Sequence, residues 1–181
     1  VELALTAVSE QTIRISLSPL LPDGSPRPLP DGPVIVKRAW PPPAVRIRAV
    51  EPEKLISLAG LRVRVSTDPL TVTLVRADGR VLQRLEIDKE SAATTFPLGT
   101  GMVLGLGHGG QQFDRRGVFY PMKNAHGAWN LELLGGCMPI PWLVGTDGWA
   151  LLFHQPVGSF DLSGNDGRFL PWPSVPALPL D

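Results

Sequence analysis

The sequence lacks an excess of charge of either sign. Of its 181 residues, 17 are Lys or Arg and 17 are Asp or Glu, so the formal net charge is zero. The charges also alternate in sign along the chain, as in Arg76, Asp78 and Arg80. Proteins that bind nucleic acid or an anionic membrane surface use a basic excess. The composition therefore predicts neither partner.

Cysteine, histidine and long apolar runs are also scarce. The one cysteine, Cys137, excludes an internal disulfide and a multi-cysteine metal site, and is interpreted as a buried structural thiol. His108 and His154 have no partner at metal-ligand spacing, so we expect no metal and no cofactor. No apolar run approaches the roughly 20 residues that span a bilayer.

Helix-forming stretches are missing, because 20 prolines and 19 glycines interrupt the chain. Apolar and polar residues alternate instead, in residues 12–18, 44–50 and 61–66, which is typical of half-buried antiparallel strands. Residues 70–75 and 80–87 continue the pattern on either side of an Asp78-Gly79 hairpin signal. Residues 55–87 are therefore predicted to form a β-meander.

The remaining segments extend the all-β pattern to one domain. Residues 19–43 are proline-rich around one short predicted strand, 34–37, and are interpreted as a surface loop rather than a polyproline ligand. Longer apolar strands are predicted at 138–144, 149–153 and 157–162. We predict a β-sandwich over 1–170 and an exit segment over 171–181, whose last residues regain apolar character as in a chain that continues.

Residues 102–110 contain G-x-G-x-x-G at Gly105, Gly107 and Gly110. Dinucleotide binding would require a helix to begin there, so that its N-terminus meets the pyrophosphate. The residues that follow have no amphipathic stripe and no βαβ context, so a bulged strand with a tight loop is the favoured interpretation.

Three stretches, taken in order, resemble the N-terminal domain of glycoside hydrolase family 31. VLGLGHGGQQFDRRG (103–117) is similar to the family's Gly-Leu-Gly strand followed by a loop to Asp-Arg-Arg-Gly. CMPIPWLVGTDGWALLFHQP (137–156) resembles its Ile-Pro-aromatic strand, glycine turn and following strand. RVRVSTDPLTVTLVRADGRVLQR (62–84) is similar to its Asp-Pro hairpin ending in Asp-Gly and a basic residue.

The resemblance implies both a fold for this domain and a separate catalytic domain. It implies an antiparallel β-sandwich of the galactose mutarotase-like supersandwich type, with few or no helices. It also implies a non-catalytic domain that packs on a (β/α)8 barrel of the same polypeptide, which hydrolyses α-glucosidic or α-xylosidic bonds with retention. Such a barrel needs about 250 residues and repeated βα units, so the catalytic carboxylates are expected outside this chain. Its own acids, Asp114, Glu132, Asp147 and Asp161, form no evident pair.

In the family, a loop of this domain helps to shape the sugar pocket, and by position it corresponds to residues 120–130. Asn124, His126 and Trp129 are the candidates for substrate contact, because amide, imidazole and aromatic groups recognise sugars. Alternatively, Asn124 and His126 organise the loop and Trp129 packs between domains.

Further polar and aromatic residues have structural interpretations. Asp114, Arg115 and Arg116 are interpreted as a salt-bridged loop anchor rather than a substrate clamp. Trp142, Trp149 and Trp172 are expected in the core or an interface. Two other functions stay open for the whole chain, namely a stand-alone carbohydrate-binding sandwich and a purely structural scaffold domain.

Overall fold

A computed structural model describes residues 1–28, 39–49, 53–108, 112–122, 138–154 and 158–172. These residues form fourteen β-strands and no helix. The strands are β1 Glu2–Ser9, β2 Thr12–Ser18, β3 Val45–Ile47, β4 Lys54–Leu58, β5 Leu61–Thr67, β6 Leu70–Val75, β7 Val81–Ile87, β8 Thr94–Pro97, β9 Val103–Gly105, β10 Phe119–Pro121, β11 Trp142–Gly145, β12 Trp149–Leu152, β13 Gly158–Asp161 and β14 Asp166–Pro171. The part of the chain that is described holds no helix long and apolar enough to cross a membrane.

The largest sheet has eight antiparallel strands in the order β10-β13-β14-β8-β7-β6-β5-β4. Its inner face is apolar, with Val63, Val72 and Phe169 fully buried. Its outer face presents exposed charged residues such as Arg64 and Arg84 to solvent. Because one face is covered and the other is solvated, apolar and polar residues alternate along the strands.

Two three-stranded sheets, β2-β1-β3 and β12-β11-β9, pack on the inner face of the large sheet. One hydrophobic cluster contains buried residues of all three sheets. Aromatic rings join the layers, since Phe96 of the large sheet lies 6.2 Å from Trp149 of β12 and Phe169 lies 4.6 Å from Phe153. The predicted all-β antiparallel sandwich is therefore confirmed.

The strand predictions are confirmed for β2 and for the meander. β2 and β6 have the predicted bounds, and β4 to β7 lie next to one another as the predicted meander. Elsewhere the bounds were wrong: β3 ends at Ile47 instead of residue 50, and β11 begins at Trp142 instead of residue 138.

The predicted domain bounds, 1–170 and 171–181, stay a prediction, as does the mutarotase-like subtype. β14 ends at Pro171, and residues 173–181 lie outside the described part. Within the proline-rich segment, the predicted strand 34–37 also lies outside it.

The sheet β2-β1-β3 contains a buried acid on its outer side. Glu2 is 1% exposed and is bound by the guanidinium groups of Arg46 and Arg48. Burial pushes the pKa of Glu2 upward, but the hydrogen bonds from the two arginines outweigh it and hold the pKa below its ordinary value. The carboxylate is therefore charged at neutral pH and ties β1 to the end of β3.

Candidate functional site

The glycine-rich stretch forms a ribbon with residues 138–145. β9 pairs with β11, and beyond it the Leu106 amide donates to the Trp142 carbonyl at 2.8 Å. Gly105 and Gly107 have φ of +117° and +78°, and a Cβ at either would lie 2.1 Å from a backbone carbonyl of the partner segment. Only glycine permits so close an approach in this conformation. The glycines therefore serve backbone packing around the buried Leu106.

The structure shows no helix in residues 112–122, which follow the glycine-rich stretch. Residues 112–118 form turns and bends that lead into β10. The helix N-terminus that pyrophosphate binding requires is thus not found in residues 112–122.

Asp114 holds this turn against β9. Its carboxylate accepts hydrogen bonds from the Val103 amide at 3.0 Å and from the Arg116 guanidinium at 2.7 Å. The side-chain hydrogen bond from Arg116 is the main cause that lowers the pKa of Asp114 from 3.8 to about 2. Arg116 also donates to the Thr100 carbonyl at 3.2 Å.

Arg115 points inward from the same turn and is 8% exposed. Its Nε donates to the Gly105 carbonyl at 3.0 Å, and its guanidinium lies 5.8 Å from the centre of the Tyr120 ring. Its backbone amide donates to the Val103 carbonyl at 2.7 Å. Asp114, Arg115 and Arg116 therefore all hydrogen-bond to the protein's own backbone, and Asp114 and Arg116 also pair with each other, as an anchor requires. Their role stays a prediction.

Asp147, in the family-like stretch 137–156, binds the same backbone segment as Arg116. Its carboxylate accepts hydrogen bonds from the Thr100 and Gly101 amides at 2.8 and 2.9 Å. These hydrogen bonds, from Gly101 first, lower its pKa. Arg80 follows the Asp78-Gly79 turn in the family-like stretch 62–84, and its guanidinium donates to the Asp147 carbonyl at 3.0 Å. Residues of all three family-like stretches thus meet at one corner of the sandwich.

The described acids with perturbed pKa values are all shifted downward. They are Glu2, Asp23, Asp88, Asp114, Asp147 and Asp161. A glycosidase general acid needs a raised pKa. The described ranges also hold no group of three His, Cys, Asp or Glu side chains suited to a metal ion.

The predicted substrate-contact residues Asn124, His126 and Trp129 lie outside the described residues, as do Glu132 and Cys137. Of the tryptophans expected in the core or an interface, Trp149 is 8% exposed and Trp142 is 41% exposed. The indole of Trp172 donates to the Ser159 hydroxyl at 3.1 Å.

Sequence reasoning missed a cavity of about 320 Å³ between β2 and β12. Residues 11–15 and 150–154 line it consecutively, and because side chains alternate along a strand, both strands present their edges to it. Trp40 and Trp142 also line it, and the Arg14 guanidinium lies 4.7 Å from the centre of the Trp40 ring. Among the described residues, the cavity therefore separates the two three-stranded sheets, β2-β1-β3 and β12-β11-β9, which together cover the large sheet.

Sequence reasoning also missed an apolar surface on the sheet β12-β11-β9. Register places Leu104 opposite Val144, Val144 opposite Ala150, and Trp142 opposite Leu152, all on the side away from the core. Met138 and Ile140, on the adjoining segment, are 67% and 44% exposed. We call this surface the outer apolar face; its residues are Leu104, Met138, Ile140, Trp142, Val144, Ala150 and Leu152.

Comparisons with known proteins bear on the fold. No family model and no curated protein sequence matches the chain. Among solved structures, it is similar to a family 31 dextranase, FjDex31A of Flavobacterium johnsoniae, as a point mutant with isomaltotriose (18% identity) and as a complex with glucose (19% identity).

Both similarities have a TM-score of 0.70 and cover 92% of this chain. The matched region is 22% of each dextranase chain. The chain thus has the fold of one domain of a much larger glycoside hydrolase.

Proposed function

We propose that this chain is the N-terminal, non-catalytic domain of a family 31 α-glycosidase that hydrolyses α-glucosidic or α-xylosidic bonds. The observation that carries the proposal is the similarity to the dextranase over 92% of this chain and only 22% of the other. In this proposal the domain packs on the catalytic (β/α)8 barrel of the same polypeptide and contributes a loop, with Asn124, His126 and Trp129, to the substrate pocket.

The arrangement of the three family-like stretches supports the proposal. Gly105 and Gly107 expose carbonyls that Arg115 approaches, and Asp147 and Arg80 join the other two stretches at the same corner. The Gly-Leu-Gly and Asp-Arg-Arg elements are therefore parts of one folded unit.

The test is an assay of hydrolysis by a polypeptide that carries this domain with its barrel, and by the 181-residue chain alone. We expect the longer polypeptide to cleave p-nitrophenyl α-glucoside, p-nitrophenyl α-xyloside or isomaltotriose with retention, and the 181-residue chain to cleave none. Turnover by the short chain, or inactivity of the long one on every α-glycoside, contradicts the proposal.

The loop contribution has its own test in the longer polypeptide. We expect Trp129→Ala and Asn124→Ala to raise KM for the disaccharide or oligosaccharide substrate. The control is Asn165→Ala, which changes an exposed side chain in the turn between β13 and β14. If KM is unchanged in the loop variants, the loop does not contact substrate.

The cavity between β2 and β12 favours a second candidate, a stand-alone carbohydrate-binding module. Trp40 and Trp142 line it, and aromatic faces bind the C–H surface of sugars. This candidate predicts millimolar or tighter binding of maltose or isomaltotriose to the 181-residue chain by isothermal titration, and loss of that binding in Trp40→Ala. No heat of binding for either sugar leaves the first proposal as the better one.

A further inference from the structure

The two outward-facing surfaces of the sandwich differ in chemistry. On the large sheet, Arg62, Arg64 and Arg84 face outward, and Arg84 forms a salt bridge with Glu86 at 3.5 Å. On the sheet β12-β11-β9, all five residues that face outward are apolar. A sheet covered on one face only is expected to alternate apolar and polar residues. The large sheet follows that rule along most of its strands, with Leu55 and Phe119 as exposed apolar exceptions, whereas the small sheet has no polar residue at an outward position of its strands.

The outer apolar face has the composition of an interface core. It contains a tryptophan, a methionine and branched aliphatic residues, and none of its seven members is charged. Interface cores are enriched in aromatic residues and methionine and depleted in charge. Met138, Ile140, Trp142 and Ala150 are exposed, and Leu104, Val144 and Leu152 are half-buried beside them. Large exposed apolar patches on a monomer mark contact surfaces.

We propose that the outer apolar face is the surface through which this domain packs against the catalytic domain of its own polypeptide. The inference rests on the proposed function. The occupant follows from chain length, because a domain that is 22% of a dextranase-sized chain lies beside a far larger remainder.

Met138 and Trp142 are built-in reporters of this interface, because both side chains are oxidised readily by hydroxyl radicals when exposed. We expect both to be modified in the 181-residue chain and to be protected at least fivefold in the polypeptide that carries the catalytic domain. Leu55, 64% exposed on the outer face of β4, is the internal control and should be modified equally in both. Equal modification of Met138 and Trp142 in the two polypeptides overturns the proposal.

A second measurement uses variants. We expect the longer polypeptide to unfold in one calorimetric transition, and the double substitution Ile140→Thr with Trp142→Thr to split that transition into two. The matched control, Leu55→Thr, should retain one transition. If the double variant also retains a single transition, the face does not couple the domains.

The outcomes separate this inference from the proposed function. An active glycosidase in which Met138 and Trp142 stay reactive contradicts the interface alone. A longer polypeptide without glycosidase activity contradicts the proposed function. Protection that appears in the 181-residue chain and grows with its concentration identifies a second copy as the occupant, and overturns the proposal.

Discussion

Replacing Asp114 by asparagine is expected to destabilise the fold near neutral pH and to have a much smaller effect in acid. The carboxylate accepts hydrogen bonds from the Arg116 guanidinium and the Val103 amide. Asparagine retains an oxygen for the Val103 amide but removes the charge that Arg116 binds. The turn 112–117 would then lose the ion pair between Asp114 and Arg116 that stabilises it internally.

The magnitude follows from the lowered pKa of Asp114. A lowered pKa stabilises the folded state fully above the unfolded-state value of 3.8, and this contribution disappears as the pH falls toward the folded-state value of about 2. The shift corresponds to at most about 2.4 kcal/mol. Since Asp114 is 28% exposed, solvent screening reduces the expected effect to about 1–1.5 kcal/mol.

Urea unfolding followed by tryptophan fluorescence measures the effect. We expect the free energies of unfolding of the parent chain and Asp114→Asn to differ by about 1–1.5 kcal/mol at pH 6 and by about a third of that at pH 2.5. Glu90→Gln, at an exposed turn position, should show no such pH-dependent difference. A difference that is the same at both pH values would refute the reasoning, because it would not arise from the charge.

Two further predictions concern packing in the core. Gly145→Ala would place a Cβ 2.2 Å from the Trp149 ring, so we expect a loss of about 1–3 kcal/mol and a changed near-ultraviolet circular dichroism spectrum, whereas Gly164→Ala, in a turn with room for a Cβ, should change neither. Phe160→Ala removes a fully buried ring that contacts two other phenylalanines and should cost about 3–5 kcal/mol in urea unfolding; Phe119→Ala, 56% exposed on the neighbouring strand, should cost less than about 1 kcal/mol. Similar losses in either variant and its control would contradict the packing account.

The part of the fold that the sequence predicts is the part where local pattern and tertiary environment agree. β5, β6 and β7 have one buried and one solvated face, so their alternation is visible, and Asp78-Gly79 marks the turn between β6 and β7. β1 was missed because it is buried on both sides. Its first residue, Glu2, is polar but buried by arginines 44 and 46 positions away, a distance that no local pattern reveals.

In the candidate site, too, the sequence predicts local contacts and does not predict features that depend on register or topology. The turn Asp114–Arg116 is a local ion pair and was foreseeable from three adjacent residues. The outer apolar face was not, because apolar residues occupy both alternating positions of residues 142–145 and only the register shows which of them face away from the core. The cavity between β2 and β12 brings together residues more than 130 positions apart, so it follows from topology alone.

The sequence did not predict β14, because the glycines at its start indicate a turn instead of a strand. A glycine-rich segment predicts a turn, yet Gly167 lies inside β14, and a Cβ there would lie 2.6 Å from the Phe96 ring. Gly145 stands against Trp149 and Gly158 against Phe169 in the same manner. Each large ring occupies the volume that a side chain would fill on the neighbouring strand, so the close-packed core requires the glycine and the aromatic residue together. A sequence rich in glycine and poor in aromatics can therefore still build a sandwich, because three of its buried rings each pack against a glycine on the neighbouring strand.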